Sequence, residues 1–410
     1  MNNTPRSERL HIAIFGKRNV GKSSLINAIT NQELSLVSDI AGTTTDPVMK
    51  SMEILPIGPV VLIDTAGFDD EGELGIKRIA KTYAMSRKTD IAIFVTTAKD
   101  DISNEEIDFI NKLKLKVSYV VCVINKVDMY KPSVHYKNFM LEKLDIPVVE
   151  VSAITGEGIE LLKDTIIFVS KNTEKEKYIV RDLIKPGCIV VLVTPIDSSA
   201  PKGRLILPQQ QTIRDILDGD AVAVVTQVNN LEETLNNLEG KVSMVITDSQ
   251  AFKEVNRIVP SNILLTSFSI LFARYKGELE QLLSGINAMY NLKEGDKVLI
   301  AEGCTHHRQE EDIGKVKIPK WIKSFVGCDL EYEWASGTTI PEDISKFKLI
   351  IHCGGCMLNT REMKYRLNYA KQNDVPITNY GILIAKINGI LDRALEPIMN
   401  DCNILNNNML

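Results

Sequence analysis

The sequence lacks any uninterrupted apolar run of the roughly 20 residues that cross a bilayer, so no membrane partner is expected. No apolar segment follows the polar start MNNTPRSER, and the secretory-signal pattern is missing there. A cytoplasmic location is the expectation. The chain also lacks an excess of basic residues: 48 Lys and Arg face 53 Asp and Glu, a formal net charge of −5. Aromatic residues are scarce at 6%, and no basic, aromatic-interleaved stripe or basic GXXG loop lies beyond residue 170. These two absences exclude a broad electrostatic footprint for nucleic acid, and no nucleic-acid partner is expected. Seven cysteines are too few and too oddly counted for a disulfide framework, and in a cytoplasmic chain they stay reduced. There is no low-complexity tract and no short-period repeat. What is present is the composition of an ordinary globular protein, 44% hydrophobic and 25% charged. At 410 residues the chain exceeds what one core usually serves, so two or three domains are expected.

Apolar runs alternate with helical patterns in the first third. Residues 11–15, 60–64, 91–97, 119–124 and 148–151 read as buried strands, with helices over 22–29 and 105–113. The polar segment KNTEKEKY breaks the pattern and reads as a linker over 173–179. Strand runs at 189–193, 221–225 and 242–246 then alternate with helices at 212–217 and 231–238, which predicts a small parallel sheet. A third block opens on one long amphipathic stretch, 268–289, followed by strands at 297–301 and 349–352. Asn359-Thr-Arg-Glu362 reads as a capping box that starts a helix running to about Gln372. The expected fold class is α/β, in three domains that are each a mainly parallel sheet with flanking helices. The expected boundaries are 1–172, 180–265 and 266–410.

Gly16-Lys17-Arg18-Asn19-Val20-Gly21-Lys22-Ser23 matches G-x-x-x-x-G-K-[ST], with the strand HIAIF leading in and the helix SSLINAIT leading out. Such a loop turns backbone N–H groups and a helix N-terminus toward phosphates. The alternative is a plain glycine turn before a helix. In the phosphate-loop reading the nucleotide contacts include Gly16, Asn19, Val20, Gly21, Lys22, Ser23 and Ser24. Lys22 reaches the β- and γ-phosphates, and Ser23 binds Mg²⁺. Asp64-Thr65-Ala66-Gly67 follows the strand VVLID, where an acid can hold Mg²⁺ through water; Asp64 and Gly67 join the catalytic set with Lys22. Asn125-Lys126-Val127-Asp128 ends the strand VVCVI. The Asp128 carboxylate can accept hydrogen bonds from guanine N1–H and its exocyclic amine, which adenine does not offer. Ser152-Ala153 follows VVEV, where its backbone can meet the guanine carbonyl. The expected ligand is GTP or GDP. The phosphate loop, DTAG and NKVD together resemble, over residues 10–170, the translation-factor-type GTPases and within them the MnmE and Era group. That resemblance places Ala41-Gly42-Thr43-Thr44-Thr45-Asp46 on the AGTTRD switch motif, with Thr44 as an Mg²⁺ ligand and Thr45 where the motif has arginine. It also aligns Asn19 with a potassium-binding asparagine, the alternative being a turn residue. Phe68 stands where Ras-like GTPases carry a water-orienting glutamine. Slow, K⁺-stimulated hydrolysis is therefore expected.

Three of the seven cysteines and three of the five histidines lie in two short segments. Cys304-Thr305-His306-His307 follows the strand KVLIA, and His352-Cys353-Gly354-Gly355-Cys356 follows FKLII. Both sit at strand carboxyl ends, where open α/β sheets bind ligands. A structural zinc site, a redox dithiol of Cys353 and Cys356, an iron–sulfur cluster and a coincidental buried pair are all compatible with these residues. Cys122 and Cys188 read as core residues; Cys328 and Cys402 stay unassigned. A GTPase domain followed by C-x-H and then H-C-x-x-C resembles the HydF family, the GTPases that mature iron–iron (FeFe) hydrogenase. The likeness covers essentially the whole chain. It implies a 4Fe–4S cluster on Cys304, Cys353 and Cys356, with His306, His352 or a carboxylate such as Glu311 at the fourth, labile position. It further implies a scaffold that takes a di-iron precursor from the radical-SAM maturases HydE and HydG and delivers it to the apo-hydrogenase, as a homodimer joined through the middle domain. The competing readings are an RNA-modification or ribosome-assembly GTPase and a zinc or redox switch under GTPase control.

Overall fold

The computed structural model describes residues 8–30, 48–69, 82, 84–171, 177–195, 205–277, 279–303, 313–337, 340–341, 343–355 and 358–399. The chain divides into two compact units, Met1–Lys175 and Glu176–Leu410. No helix of the described residues is long and apolar enough to cross a membrane.

The described elements of the first unit are β1 (Leu10–Gly16), α1 (Lys22–Thr30), β2 (Val48–Ile54), β3 (Gly58–Asp64), β4 (Ile91–Thr97), α2 (Asn104–Lys114), β5 (Tyr119–Asn125), α3 (Val134–Leu144), β6 (Val148–Glu150) and α4 (Ile159–Lys171). The sheet order is β2-β3-β1-β4-β5-β6, parallel except where β2 meets β3. β1 reads LHIAIFG and is buried from its second residue onward, because helices cover both faces of a central parallel strand. On one face Leu25, Ile29, Leu162 and Ile166 of α1 and α4 pack on the sheet. On the other face Ile107, Ile110, Met140 and Leu144 of α2 and α3 do so. α2 begins with a full capping box between Ser103 and Glu106. β2 had no counterpart among the expected strands. Its sequence VMKSMEI is half exposed, since it is the antiparallel edge and lacks the continuous apolar run that marks its neighbours.

The second unit comprises β7 (Ile189–Val193), α5 (Leu207–Asp218), β8 (Val222–Thr226), α6 (Leu231–Asn237), β9 (Val242–Thr247), α7 (Phe252–Ile258), β10 (Leu264–Ser267), α8 (Phe268–Lys276), α9 (Leu279–Ile286), β11 (Lys297–Glu302), α10 (Ile318–Val326), β12 (Glu331–Ser336), β13 (Leu349–His352), α11 (Thr360–Gln372), β14 (Ile377–Asn379), α12 (Tyr380–Ile387) and α13 (Leu391–Met399). It holds two four-stranded parallel sheets, ordered β10-β9-β7-β8 and β12-β11-β13-β14. A single hydrophobic cluster joins them, with Val191 and Val245 of one sheet and Ile300 and Ile350 of the other. The amphipathic stretch at 268–289 forms two helices, α8 and α9, followed by a 3-10 turn over Asn287–Asn291. The Gly277 backbone takes an extended conformation (φ −125°, ψ −168°) that ends α8. A Cβ at Gly277 would lie 3.0 Å from the Ala273 carbonyl oxygen, so the close approach suits glycine there. β10, β12 and β14 were also unexpected, being short or, in EYEWAS of β12, polar and partly exposed.

Both candidate sites fall where the strand order reverses, the chain proceeding first to one side of a parallel strand and then to the other. β1 lies between β3 and β4, and β11 lies between β12 and β13. Crevices at the carboxyl ends of such strands are where open α/β sheets take ligands.

Candidate functional site

The phosphate loop is shaped by two glycines with positive φ. Gly16 has φ 147°, and a Cβ there would sit 2.3 Å from the Val95 carbonyl oxygen of β4. Gly21 has φ 93°, and its Cβ would sit 2.4 Å from Asn125 Nδ2. Asn19 also takes a left-handed conformation, with φ 61°. Lys22, the first residue of α1, donates its Nζ to the carbonyls of Gly16 (3.0 Å) and Lys17 (2.7 Å). The ammonium thus already sits inside the loop that would surround a phosphate. Ser23 and Ser24 follow it on the exposed side of the helix start.

NKVD is built onto this loop. Asn125 is 1% exposed and donates Nδ2 to the Val20 carbonyl (2.9 Å), while its Oδ1 accepts from the Ala153 N–H (3.1 Å). One amide therefore joins three motifs that are distant in sequence. Lys126, with φ 64°, donates Nζ to the Asn19 carbonyl at 2.6 Å. Ser152 is buried and accepts from the Thr155 N–H at 3.1 Å, which closes the turn that carries Ala153. Asp128 is exposed and its carboxylate is available to a base.

The expected Mg²⁺ groups lie together. Ser23 Oγ donates to Asp64 Oδ2 at 2.6 Å. Burial pushes the Asp64 carboxyl up from its usual range, and Ser23, Lys22 and Lys50 work against that rise. A carboxylate held in so dry a position is stabilised by a cation beside it, so Ser23 and Asp64 suit Mg²⁺. Gly67 is packed against Arg18, and the Arg18 N–H donates to Asp69 Oδ1 at 2.8 Å, linking loop and switch. Thr44 lies outside the described residues.

Two features of this unit were not foreseen. Phe68 is half-buried and packs against the core, stacked on Phe109 with ring centroids 4.7 Å apart and 5.9 Å from Phe94. Lys17 reaches the buried Glu106 at 3.0 Å, and Glu106 also accepts from Thr96 (3.0 Å) and from the Ser103 N–H (3.0 Å). A lysine in the second position of the loop was the only sequence signal, and its partner is 89 residues away.

In the second unit, β11 and β13 are paired with Ala301 opposite His352. The Cys353 N–H continues the pairing to the Ala301 carbonyl at 2.9 Å. The Gly303 N–H then donates to Cys353 Sγ at 3.0 Å, and the Gly355 N–H donates to the same sulfur at 3.4 Å. Gly355 makes this turn with φ 63°. A sulfur held by two backbone N–H groups suits a soft-metal or iron–sulfur ligand. The residue before Cys304 is thus in contact with Cys353. Cys304, His306, Glu311 and Cys356 lie outside the described residues, and the described residues alone form no group of metal-ligating side chains.

His352 is fully buried, with both ring nitrogens engaged within the chain. Nε2 accepts from Arg366 Nη1 at 2.8 Å, so Nδ1 carries the proton and donates to the Cys353 carbonyl at 2.7 Å. Burial, with the Arg366 charge behind it, pushes the imidazole down to about 3 and holds it neutral. For His352 to reach a metal, Nε2 must first give up Arg366. Arg366 is itself 0% exposed and also binds Glu362 Oε1 (3.2 Å) and the Gly337 carbonyl (2.6 Å). The helix that carries both is capped by Asn359, whose side chain accepts from the Glu362 N–H at 2.9 Å. Removing one member of a buried ion pair strands the other, so Arg366→Met is expected to destabilise this unit by about 3–5 kcal/mol. A urea titration of the variant checks it; an unshifted midpoint would mean that the network contributes nothing.

Comparison with known proteins places these sites in a family. Residues 11–126 match the model of the 50S ribosome-binding GTPase. Residues 179–277 match the hydrogen maturase F dimerization domain, and residues 280–397 match the hydrogen maturase F tetramerization domain. The last two together span more than half of the chain. The chain belongs to the hydrogen maturase F family. Its first unit carries a P-loop GTPase domain, and its second carries the family's two oligomerisation domains. Among curated proteins, the tRNA modification GTPase MnmE of Nitrosomonas europaea is 34% identical over 161 residues, 39% of this chain and 34% of that protein. The GTPase Der of Nitratiruptor sp. is 36% identical over 179 residues, 40% of this chain and 37% of that protein. The chain therefore spans about a third of the length of these relatives. Among solved structures, Era of Aquifex aeolicus matches at 20% identity and a TM-score of 0.36, over 57% of this chain and 98% of that one.

Proposed function

We propose that this hydrogen maturase F protein is a GTP-hydrolysing scaffold that binds a 4Fe–4S cluster and passes a di-iron precursor to apo FeFe-hydrogenase. The observation that carries the reading is the Gly303 N–H to Cys353 Sγ contact, which supports a common site for the two cysteine segments. In the GTPase unit, Lys22 would hold the β- and γ-phosphates, Ser23 and Asp64 the Mg²⁺, and Asp128 the guanine. Phe68 is half-buried against the core and has no hydrogen-bonding group with which to orient water. Hydrolysis is therefore slow and faster in K⁺ than in Na⁺, with Asn19 as the K⁺ residue. In the second unit Cys353, with Cys304 and Cys356, would hold the cluster. The N–H groups of Gly303 and Gly355 hold the Cys353 sulfur in place. A cluster bound there supplies an iron with a weakly held position, to which a cargo can attach and from which it can leave. The precursor would come from the radical-SAM maturases HydE and HydG. β8 is the outer strand of its sheet, with Val222 48% and Val225 44% exposed, and such an edge supports a homodimer built by strand pairing.

The test is anaerobic reconstitution with iron and sulfide, followed by incubation with apo-hydrogenase. About four irons and four sulfides per chain, with hydrogenase activity appearing, are the expected outcome. Zinc without sulfide, or no metal, would overturn the scaffold reading. The second reading, an RNA-modification or ribosome-assembly GTPase, draws on the names of the first unit's relatives, and steeply salt-dependent RNA binding would favour it.

A further inference from the structure

The cysteine turn receives a support from the other oligomerisation domain. α8 ends at Lys276, inside the stretch that matches the dimerization model, whereas the turn lies in the tetramerization stretch. Lys276 is only 3% exposed. Its Nζ donates to the Leu358 carbonyl at 3.1 Å and to the Gly355 carbonyl at 3.4 Å, and lies 5.6 Å from the Phe272 ring centroid. Amines are seldom buried, because leaving water is costly unless other acceptors replace it. Here the acceptors are the backbone of the cysteine turn itself.

The geometry of the turn shows what this contact does. Gly355 points its N–H at Cys353 Sγ (3.4 Å), and its carbonyl accepts both Lys276 and the Leu358 N–H (3.0 Å). The carbonyl that Lys276 holds belongs to the peptide bond leading into Cys356. One side chain therefore holds Gly355, one of the two glycines between the cysteines, from a position 79 residues earlier in the chain.

We infer that Lys276 is a positioning residue for the cysteine turn and a fixed positive charge that raises the reduction potential of the cluster bound there. This rests on the cluster-binding reading. A buried cation, poorly screened by water, stabilises the more negative, reduced state of a nearby group more than the oxidised state. It ties cluster properties to a residue of the dimerization domain.

Three variants separate the parts. Lys276→Met keeps the stem and loses donor and charge. Lys276→Gln keeps a donor and loses the charge. Lys276→Arg keeps both. After anaerobic reconstitution, iron and sulfide, the EPR spectrum and the reduction potential are measured, with circular dichroism and gel filtration confirming the fold. Lys276→Met is expected to bind the cluster about 10–100-fold more weakly, the usual cost of losing an outer-shell partner. Lys276→Gln is expected to retain iron at a more negative potential, and Lys276→Arg to return the potential toward wild type. A potential in Lys276→Gln equal to that of wild type overturns the charge role, and unchanged iron binding and EPR spectrum in a folded Lys276→Met overturn the positioning role. Wild-type protein without iron sinks the cluster reading itself, and this inference with it.

Discussion

Asp128→Asn is expected to weaken GTP binding by about 100-fold and to make xanthosine triphosphate the better ligand. Guanine presents N1–H and an exocyclic amine, both donors, to one carboxylate that accepts both. A hydrogen bond to a charged group is worth about 1.5–3 kcal/mol, so losing one and mispairing the other gives that factor. An Asn amide presents one acceptor and one donor, which instead matches the N–H and carbonyl of xanthine. The fold tolerates the change because Asp128 is exposed. Neighbouring Asn125 and Lys126 do not offer so clean a test. Their side chains hold the carbonyls of Val20 and Asn19, and altering them would loosen the phosphate loop. Titration with a fluorescent guanine nucleotide, competed by xanthosine and adenosine triphosphates, reads the effect. Unchanged GTP affinity would mean that Asp128 does not meet the base.

The second large effect is expected at Cys353. In Cys353→Ser, iron and sulfide after reconstitution are expected to fall from about four per chain to below about one, with hydrogenase activation at background. Serine is close in size to cysteine, but its oxygen is a harder and poorer ligand for iron than sulfur. The N–H groups of Gly303 and Gly355 are spaced for a sulfur, at 3.0 and 3.4 Å, and a hydroxyl on a shorter bond would meet them less well. Iron and acid-labile sulfide assays, with EPR of the reduced sample, check the result. A full complement of iron in the variant would remove Cys353 from the ligand set. The scaffold would then need a different anchor.

The boundaries of β4, β7 and β13 were readable to the residue, because a buried parallel strand is one continuous apolar run with sharp ends. The phosphate loop and NKVD were readable for a different reason. Their chemistry requires particular residues in contiguous order, so the pattern survives without knowledge of the fold. The edge strands β2 and β12 escaped because one half-covered face gives a polar, irregular sequence. The division of 268–289 escaped because helical periodicity continues across Gly277, although the backbone does not.

By itself the sequence determined which motifs this protein carries: a phosphate loop, NKVD, and cysteine segments at two strand ends. Those are local demands, met by neighbouring residues in the chain. Only the tertiary structure decided which distant groups support them. Lys17 with Glu106, Asn125 with Val20 and Ala153, Arg366 with His352 and Gly337, and Lys276 with Gly355 all meet across turns of the fold. Parallel strands joined by crossover helices bring chain positions together by sheet order and not by sequence order. Such partnerships therefore leave no periodicity or spacing that a one-dimensional reading can detect.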